Sequence, residues 1–238
     1  MNIVWIHGFG EDSDVWEDFL PAFHLKGTSY LFDHSALTGY RTIREYAGAL
    51  QVFLSEKKLD NPVLIGHSMG GYIALEYAAQ YPEGVRGLGL FHSSAAADSD
   101  KKKQDRDKTR SFIEKNGSAA FIKNFYPNMF TEEFREKNEN LISGNIRRYS
   151  ALHREALMSA TESMKNRRDH LETLRGFSFP VFQILGKMDA FVPLEKGLEQ
   201  ATLLQHPYTL ILDRVAHAGM YEAPGVCVDF IRHYLGTC

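Results

Sequence analysis

The chain has 238 residues, 44% of them hydrophobic and 12% aromatic, with a formal net charge of −3. That is apolar material enough for one α/β domain, which excludes a mostly disordered chain. The mild acidity excludes the basic face that a nucleic-acid or anionic-membrane partner would require. Met1-Asn2-Ile3-Val4-Trp5-Ile6 carries no basic segment leading into a long apolar run, and no stretch is apolar enough to cross a bilayer. A cytoplasmic location is therefore expected. Cys227 and Cys238 are the two cysteines; a bridge so near a chain end would constrain little, so both are read as free thiols.

Six short apolar runs, each bounded by polar or turn residues, read as buried parallel strands. The first is Asn2–Ile6, which runs into the glycine-rich turn His7-Gly8-Phe9-Gly10. The second, Thr28–Phe32, is followed by Asp33-His34-Ser35. Thr42–Glu56 then places Ile43, Tyr46, Ala47, Leu50, Phe53 and Leu54 on one helical face. The third strand, Pro62–Ile65, leads into Gly66-His67-Ser68-Met69-Gly70-Gly71 and a helix over Met69–Gln80, which Tyr81-Pro82 ends. The fourth strand is Gly87–Phe91.

From about Ser94 to Leu174 no strand is legible. Helical segments rich in Lys, Glu, Arg, Phe and Met fill this span, since a structureless loop of such length is uncommon. It reads as an inserted helical cap, residues 94–174, on a core made of residues 1–93 and 175–238. Its aromatic and Met residues (Phe112, Phe121, Phe125, Tyr126, Met129, Phe130, Phe134) serve mostly to hold the cap together, with some left to roof a cleft. Lys101-Lys102-Lys103 with the alternating charges through Arg110, and the pairs Arg147-Arg148 and Arg167-Arg168, read as solvated helix faces. Pro180–Leu185 and Tyr208–Leu212 are the last strands, and a helix from about Pro224 to Tyr234 closes the chain. Strand alternating with helix implies a doubly wound parallel sheet, an α/β fold.

The chemistry is concentrated at Gly66–Gly70. A bare G-x-S-x-G arises by chance in roughly one in twelve chains of this length. Here an apolar strand stands directly before it and an alanine-rich helix directly after, which is the context a nucleophile elbow requires. The serine must sit on strained backbone to project from the sheet, and the glycines let strand and helix approach. The helix N-terminus favours a developing oxyanion.

A serine nucleophile needs a base at the carboxyl ends of the strands. His206 precedes the sixth strand, His233 belongs to the last helix, and His24, His153 and His170 read as surface or cap residues. His217 follows the sixth strand and is the expected base. Asp189, just after the fifth strand, is preferred as its orienting acid over Asp213, which terminates the sixth. Ser68, Asp189 and His217 then fall in the chain order of this fold.

With these residues in place the sequence resembles the α/β-hydrolase superfamily, in its compact capped branch. The resemblance rests on His7-Gly8-Phe9-Gly10 with Trp16, the elbow, Gly186-x-x-Asp189 with Pro193, and His217 with Glu222 and Pro224. It implies that the backbone amides of Phe9 and Met69 form an oxyanion hole. It implies a six-stranded sheet of order 2-1-3-4-5-6, with Phe9 and Ser68 together at the switch between strands one and three. The loop Asp33-His34-Ser35 departs from the family's glycine-rich turn. The expected reaction is acyl transfer from a carboxylic ester to water, with a partly apolar small molecule as substrate. A lyase using the same side chains, or a ligand receptor on the same fold, are the alternatives. No metal-ligand spacing, phosphate loop or dinucleotide fingerprint occurs, so no cofactor or metal is implied.

Overall fold

The computed structural model describes residues 1–23, 28–205 and 208–238. Six parallel strands, β1 (Asn2–Ile6), β2 (Thr28–Phe32), β3 (Val63–His67), β4 (Gly87–Phe91), β5 (Val181–Gly186) and β6 (Tyr208–Leu212), form one sheet in the order β2-β1-β3-β4-β5-β6. Register is continuous across it; Val4, for instance, stands between Tyr30 on one side and Leu64 on the other. The four inner strands are buried on both faces, which is why they read as unbroken apolar runs, whereas β2 and β6 at the edges are partly exposed. Pro62 and Pro180, expected to open the third and fifth strands, stand just before β3 and β5 instead. Each lacks an N–H for the ladder, and each instead lends its carbonyl, to Arg86 and Leu88 respectively, at 3.1 Å.

Helices α1 (Ile43–Glu56) and α2 (Met69–Gln80) follow β2 and β3. Thr42 caps α1 through a reciprocal box: its hydroxyl accepts from the Glu45 amide at 3.3 Å, and the Glu45 carboxylate accepts from the Thr42 amide at 2.8 Å. Between β4 and β5 the chain is helical, in α3 (Asp100–Phe125), α4 (Glu132–Lys137), α5 (Glu139–Tyr149), α6 (Arg154–Lys165) and α7 (Leu171–Arg175). Gly117, at φ 81°, kinks α3. The rest comprises α8 (Leu194–Ala201), α9 (Gly219–Glu222) and α10 (Pro224–Leu235), the last ending one residue beyond expectation. Among the described residues no helix is long and apolar enough to cross a membrane. Cys227 and Cys238 are unbridged.

Under the first strand the core is aromatic. Trp5 packs on Trp16, Phe19 and Phe23 with ring centroids 5.1, 5.9 and 5.2 Å away, and its indole N–H donates to Ser29. This cluster holds the 7–23 segment beneath the sheet's carboxyl end. Here the backbones of β1 and α2 almost touch, for a Cβ on Gly70 would fall 2.3 Å from the Ile6 carbonyl oxygen. Gly70→Ala is therefore expected to cost about 1–3 kcal/mol and several degrees of Tm. Gly48→Ala, on the exposed face of α1 with nothing within 4 Å, is expected to raise Tm by about 2–4 °C. Thermal melts of the two variants check the contrast; equal effects would contradict the contact.

Candidate active site

Ser68 lies between β3 and α2 with φ 50° and ψ −114°, a conformation an L-residue adopts only when its surroundings enforce it. Three contacts do so. The Ser68 amide donates to the Phe91 carbonyl at 2.9 Å, and the Ser68 carbonyl accepts from Ser93 Oγ at 2.7 Å and from the Gly71 amide at 3.0 Å. Gly66 is required because a Cβ there would meet the Gly70 backbone at 2.2 Å. Met69 opens α2, so its amide is one of the helix's unpaired first-turn donors.

The structure brings the three candidate side chains into one hydrogen-bonded line. His217 Nε2 lies 2.9 Å from Ser68 Oγ, and His217 Nδ1 lies 2.7 Å from Asp189 Oδ2. The other Asp189 oxygen accepts from the amides of Phe191 and Val192 at 2.8 and 2.9 Å. Burial alone would raise the Asp189 pKa; the His217 charge and hydrogen bond, with His92 beside them, outweigh it and hold the carboxyl well below the usual carboxylate range. Asp213 stays apart, 77% exposed and paired with Lys187 at 2.5 Å.

Several polar groups here were not singled out from the sequence. His92, buried after β4, approaches Asp189 Oδ2 with its Nδ1 at 3.3 Å, and its Nε2 accepts from the Gly219 amide at 3.2 Å. Burial pushes its imidazole pKa down to about 4, so it is neutral at pH 7. With Asp189 and His217 it offers ligand atoms all within 4.8 Å of one another, close enough to share a metal ion, though His217 Nδ1 here faces the carboxylate in a hydrogen bond.

His67, inside the elbow, and Glu11, in the turn after β1, are both fully buried and meet at 2.9 Å. The second His67 nitrogen faces the His217 carbonyl at 2.8 Å, and the same Glu11 oxygen accepts from the Gly8 amide at 2.9 Å. With an ionised Glu11, both His67 nitrogens face acceptors, an arrangement suited to the imidazolium. Burial would lower the His67 pKa, but the Glu11 charge and hydrogen bond raise it above its ordinary value; reciprocally, burial would raise Glu11 and the His67 charge leads in lowering it.

The loop after β2 also joins the site. His34 Nε2 donates to the His7 carbonyl at 2.9 Å, and the two rings stack at 3.7 Å, fixing the turn that carries Phe9. Burial drives the His34 pKa well below its usual value. In the histidine loop Glu222 accepts from the Ala216 amide at 2.8 Å and from Thr131 Oγ1 at 2.7 Å, and Met129 accepts from the His217 amide at 2.9 Å. The helical segment thereby anchors the loop that presents His217.

A cavity of about 290 Å³ opens on Ser68 and His217. One wall is Phe9, Phe121, Phe125, Met164 and Phe191, so two of the seven aromatic and Met residues noted between 112 and 134 reach it. Tyr126, Met129 and Phe130 are buried elsewhere, and Phe112 is exposed. The other wall corrects the expectation of a solvated charge run, because Lys102 and Arg106 line it. Arg167 is a further correction: it is buried, bonded to Asp98 at 2.5 Å and stacked 4.3 Å above the Tyr72 ring. Arg148 does not simply face water either, since it pairs with Asp12 and Asp14. Of the histidines set aside, His170 bonds Glu76 on α2 at 2.7 Å, and His24 and His206 lie outside the described residues.

Residues 2–224 match the family model described as alpha/beta hydrolase fold. A pimeloyl-[acyl-carrier protein] methyl ester esterase of Wigglesworthia glossinidia brevipalpis is 26% identical over 250 residues, covering 99% of this chain and 93% of that protein. A 2-succinyl-6-hydroxy-2,4-cyclohexadiene-1-carboxylate synthase of Klebsiella pneumoniae is 27% identical over 220 residues, covering 86% of this chain and 84% of its own. Among solved structures, a thermophilic esterase from Thermogutta terrifontis is similar at a TM-score of 0.92 and 22% identity, covering 99% and 89% of the two chains, a likeness of fold. With its sheet order and nearly its whole length matched, the chain belongs to the alpha/beta hydrolase fold family.

Proposed function

We propose that the protein is a serine hydrolase that cleaves a carboxylic ester through an acyl-enzyme. The observation that carries this reading is the Ser68–His217–Asp189 line of hydrogen bonds at 2.9 and 2.7 Å, opening on the cavity. Ser68 Oγ attacks the ester carbonyl as His217 Nε2 takes its proton, and Asp189 holds the imidazole in the required tautomer. The Phe9 and Met69 amides receive the oxyanion. Its collapse expels the alcohol, which takes the proton from His217; water then repeats the sequence on the acyl-enzyme and releases the acid. Residues 94–174 act as a cap over the core of residues 1–93 and 175–238, and their phenylalanines favour a substrate with an apolar part.

A second reading has one observation in its favour. A relative of similar identity is a synthase, and the same base could remove a carbon-bound proton in a lyase. Ester turnover with an isolable acyl-enzyme separates the two, since a lyase route forms no Ser68 ester.

Ser68→Ala is expected to lower kcat on p-nitrophenyl esters by about 10⁴–10⁶-fold without changing the circular dichroism spectrum. Activity within tenfold of the parent would refute the nucleophile. Asp189→Asn is expected to cost about 10⁴-fold in kcat, because an amide can hold the wrong imidazole tautomer. Asp213→Asn, on the exposed partner of Lys187, is expected to cost less than about threefold. Paired kinetics check the order; the reverse would move the acid to Asp213.

A further inference from the structure

Lys102, Asp105, Arg106 and Thr109 line the cavity that holds Ser68 and His217. Spacings of three and four residues place them on one face of α3. The charged run that opens this helix therefore has two sides. Lys101, Lys103 and Lys108 are exposed, while Lys102, Arg106 and Thr109 are partly buried opposite the phenylalanine wall, and Asp105 lines the cavity yet stays exposed.

The stripe's charges are not balanced within the protein. Arg106 Nε lies 3.1 Å from one oxygen of the buried Asp98, and Arg167 takes the other, so two guanidinium groups share one carboxylate. Asp105 is answered by Lys108 at 3.0 Å. Lys102 Nζ donates to the Phe191 carbonyl at 2.8 Å and has no carboxylate partner among the described residues. That contact occupies one of its three donors. A half-buried ammonium beside a largely apolar space attracts an anion more strongly than it would in water.

We propose that Lys102, seconded by Arg106, selects esters that carry a second, anionic group, a carboxylate, on the same molecule as the scissile bond. The inference rests on the ester-cleaving reading and deepens it: the apolar wall takes the chain between the two groups, and Lys102 takes its charged end. A competing role for Lys102 is to hold Phe191, whose ring lies 4.9 Å from that of His217. Such a role would affect charged and uncharged esters alike.

The test uses two pairs of esters in which a methyl cap removes the charge. On the acyl side these are p-nitrophenyl hydrogen adipate and its methyl ester. On the alcohol side they are 4-carboxyphenyl hexanoate and its methyl ester. Each kcat/KM is normalised to the hydroxide-catalysed rate. The parent protein is expected to prefer the charged member by about ten- to a hundredfold in at least one pair, the span of a charge-assisted hydrogen bond. That preference should fall at least about tenfold in Lys102→Met and largely survive in Lys102→Arg. No preference in either pair would overturn the inference and leave the ester reading standing. An equal loss on both members in Lys102→Met would also overturn it, making Lys102 a support for Phe191. Hydrolysis of none of the four would overturn the ester reading, and the inference with it.

Discussion

Glu11 and His67 meet in the interior at 2.9 Å, and each reaches on to a different loop: Glu11 to the Gly8 amide, His67 to the His217 carbonyl. One buried pair thus ties together the turn that carries Phe9, the elbow that carries Ser68 and the loop that carries His217. Removing either partner would strand a buried charge, a loss of about 3–5 kcal/mol in comparable pairs. The pair also sets relative position. The 2.9 Å contact from His217 to Ser68 requires loops from three strands to agree within a fraction of an ångström, and a shared hydrogen-bond centre supplies that constraint.

The sheet places this centre where it can act. Because β1 and β3 are neighbours while β2 lies outside β1, the turns after β1 and β3 diverge from a common point at the carboxyl end of the sheet. Strain at Ser68 is tolerated because Phe91, the last residue of the neighbouring β4, and Ser93, just beyond it, grip its backbone on both sides. The helical segment also braces the site: Thr131 and Met129 hold the histidine loop through Glu222 and the His217 amide. Changes in that segment can therefore reach the imidazole as well as the cavity.

Much of this was legible in the sequence, and the reasons are local. Strands buried on both faces write unbroken apolar runs, and the elbow writes its glycines because no Cβ fits at Gly66 or Gly70. Asp189 and His217 could be placed because their strands fix which end of the sheet their loops occupy. Contacts made only in three dimensions were not legible. Glu11 and His67 are 56 residues apart, and nothing in either neighbourhood marks a buried pair. His92 looks like any residue after a strand, yet it adds a third side to Asp189. Charge runs misled for a related reason: helical spacing says that 102, 105, 106 and 109 share a face, but not that the face borders the cavity. Arg167 was missed likewise, since its partner Asp98 lies 69 residues away.

If this assembly makes Ser68 a nucleophile, covalent capture is the measurement that shows it most directly. A fluorophosphonate reacts when an activated serine oxygen displaces fluoride at phosphorus, with the serine proton passing to the base. Intact mass spectrometry with peptide mapping is predicted to find one adduct per chain, on Ser68, formed rapidly in the parent protein and at a rate lower by orders of magnitude in Asp189→Asn. No adduct, or an adduct on another residue while Ser68 stays unmodified, would contradict the account.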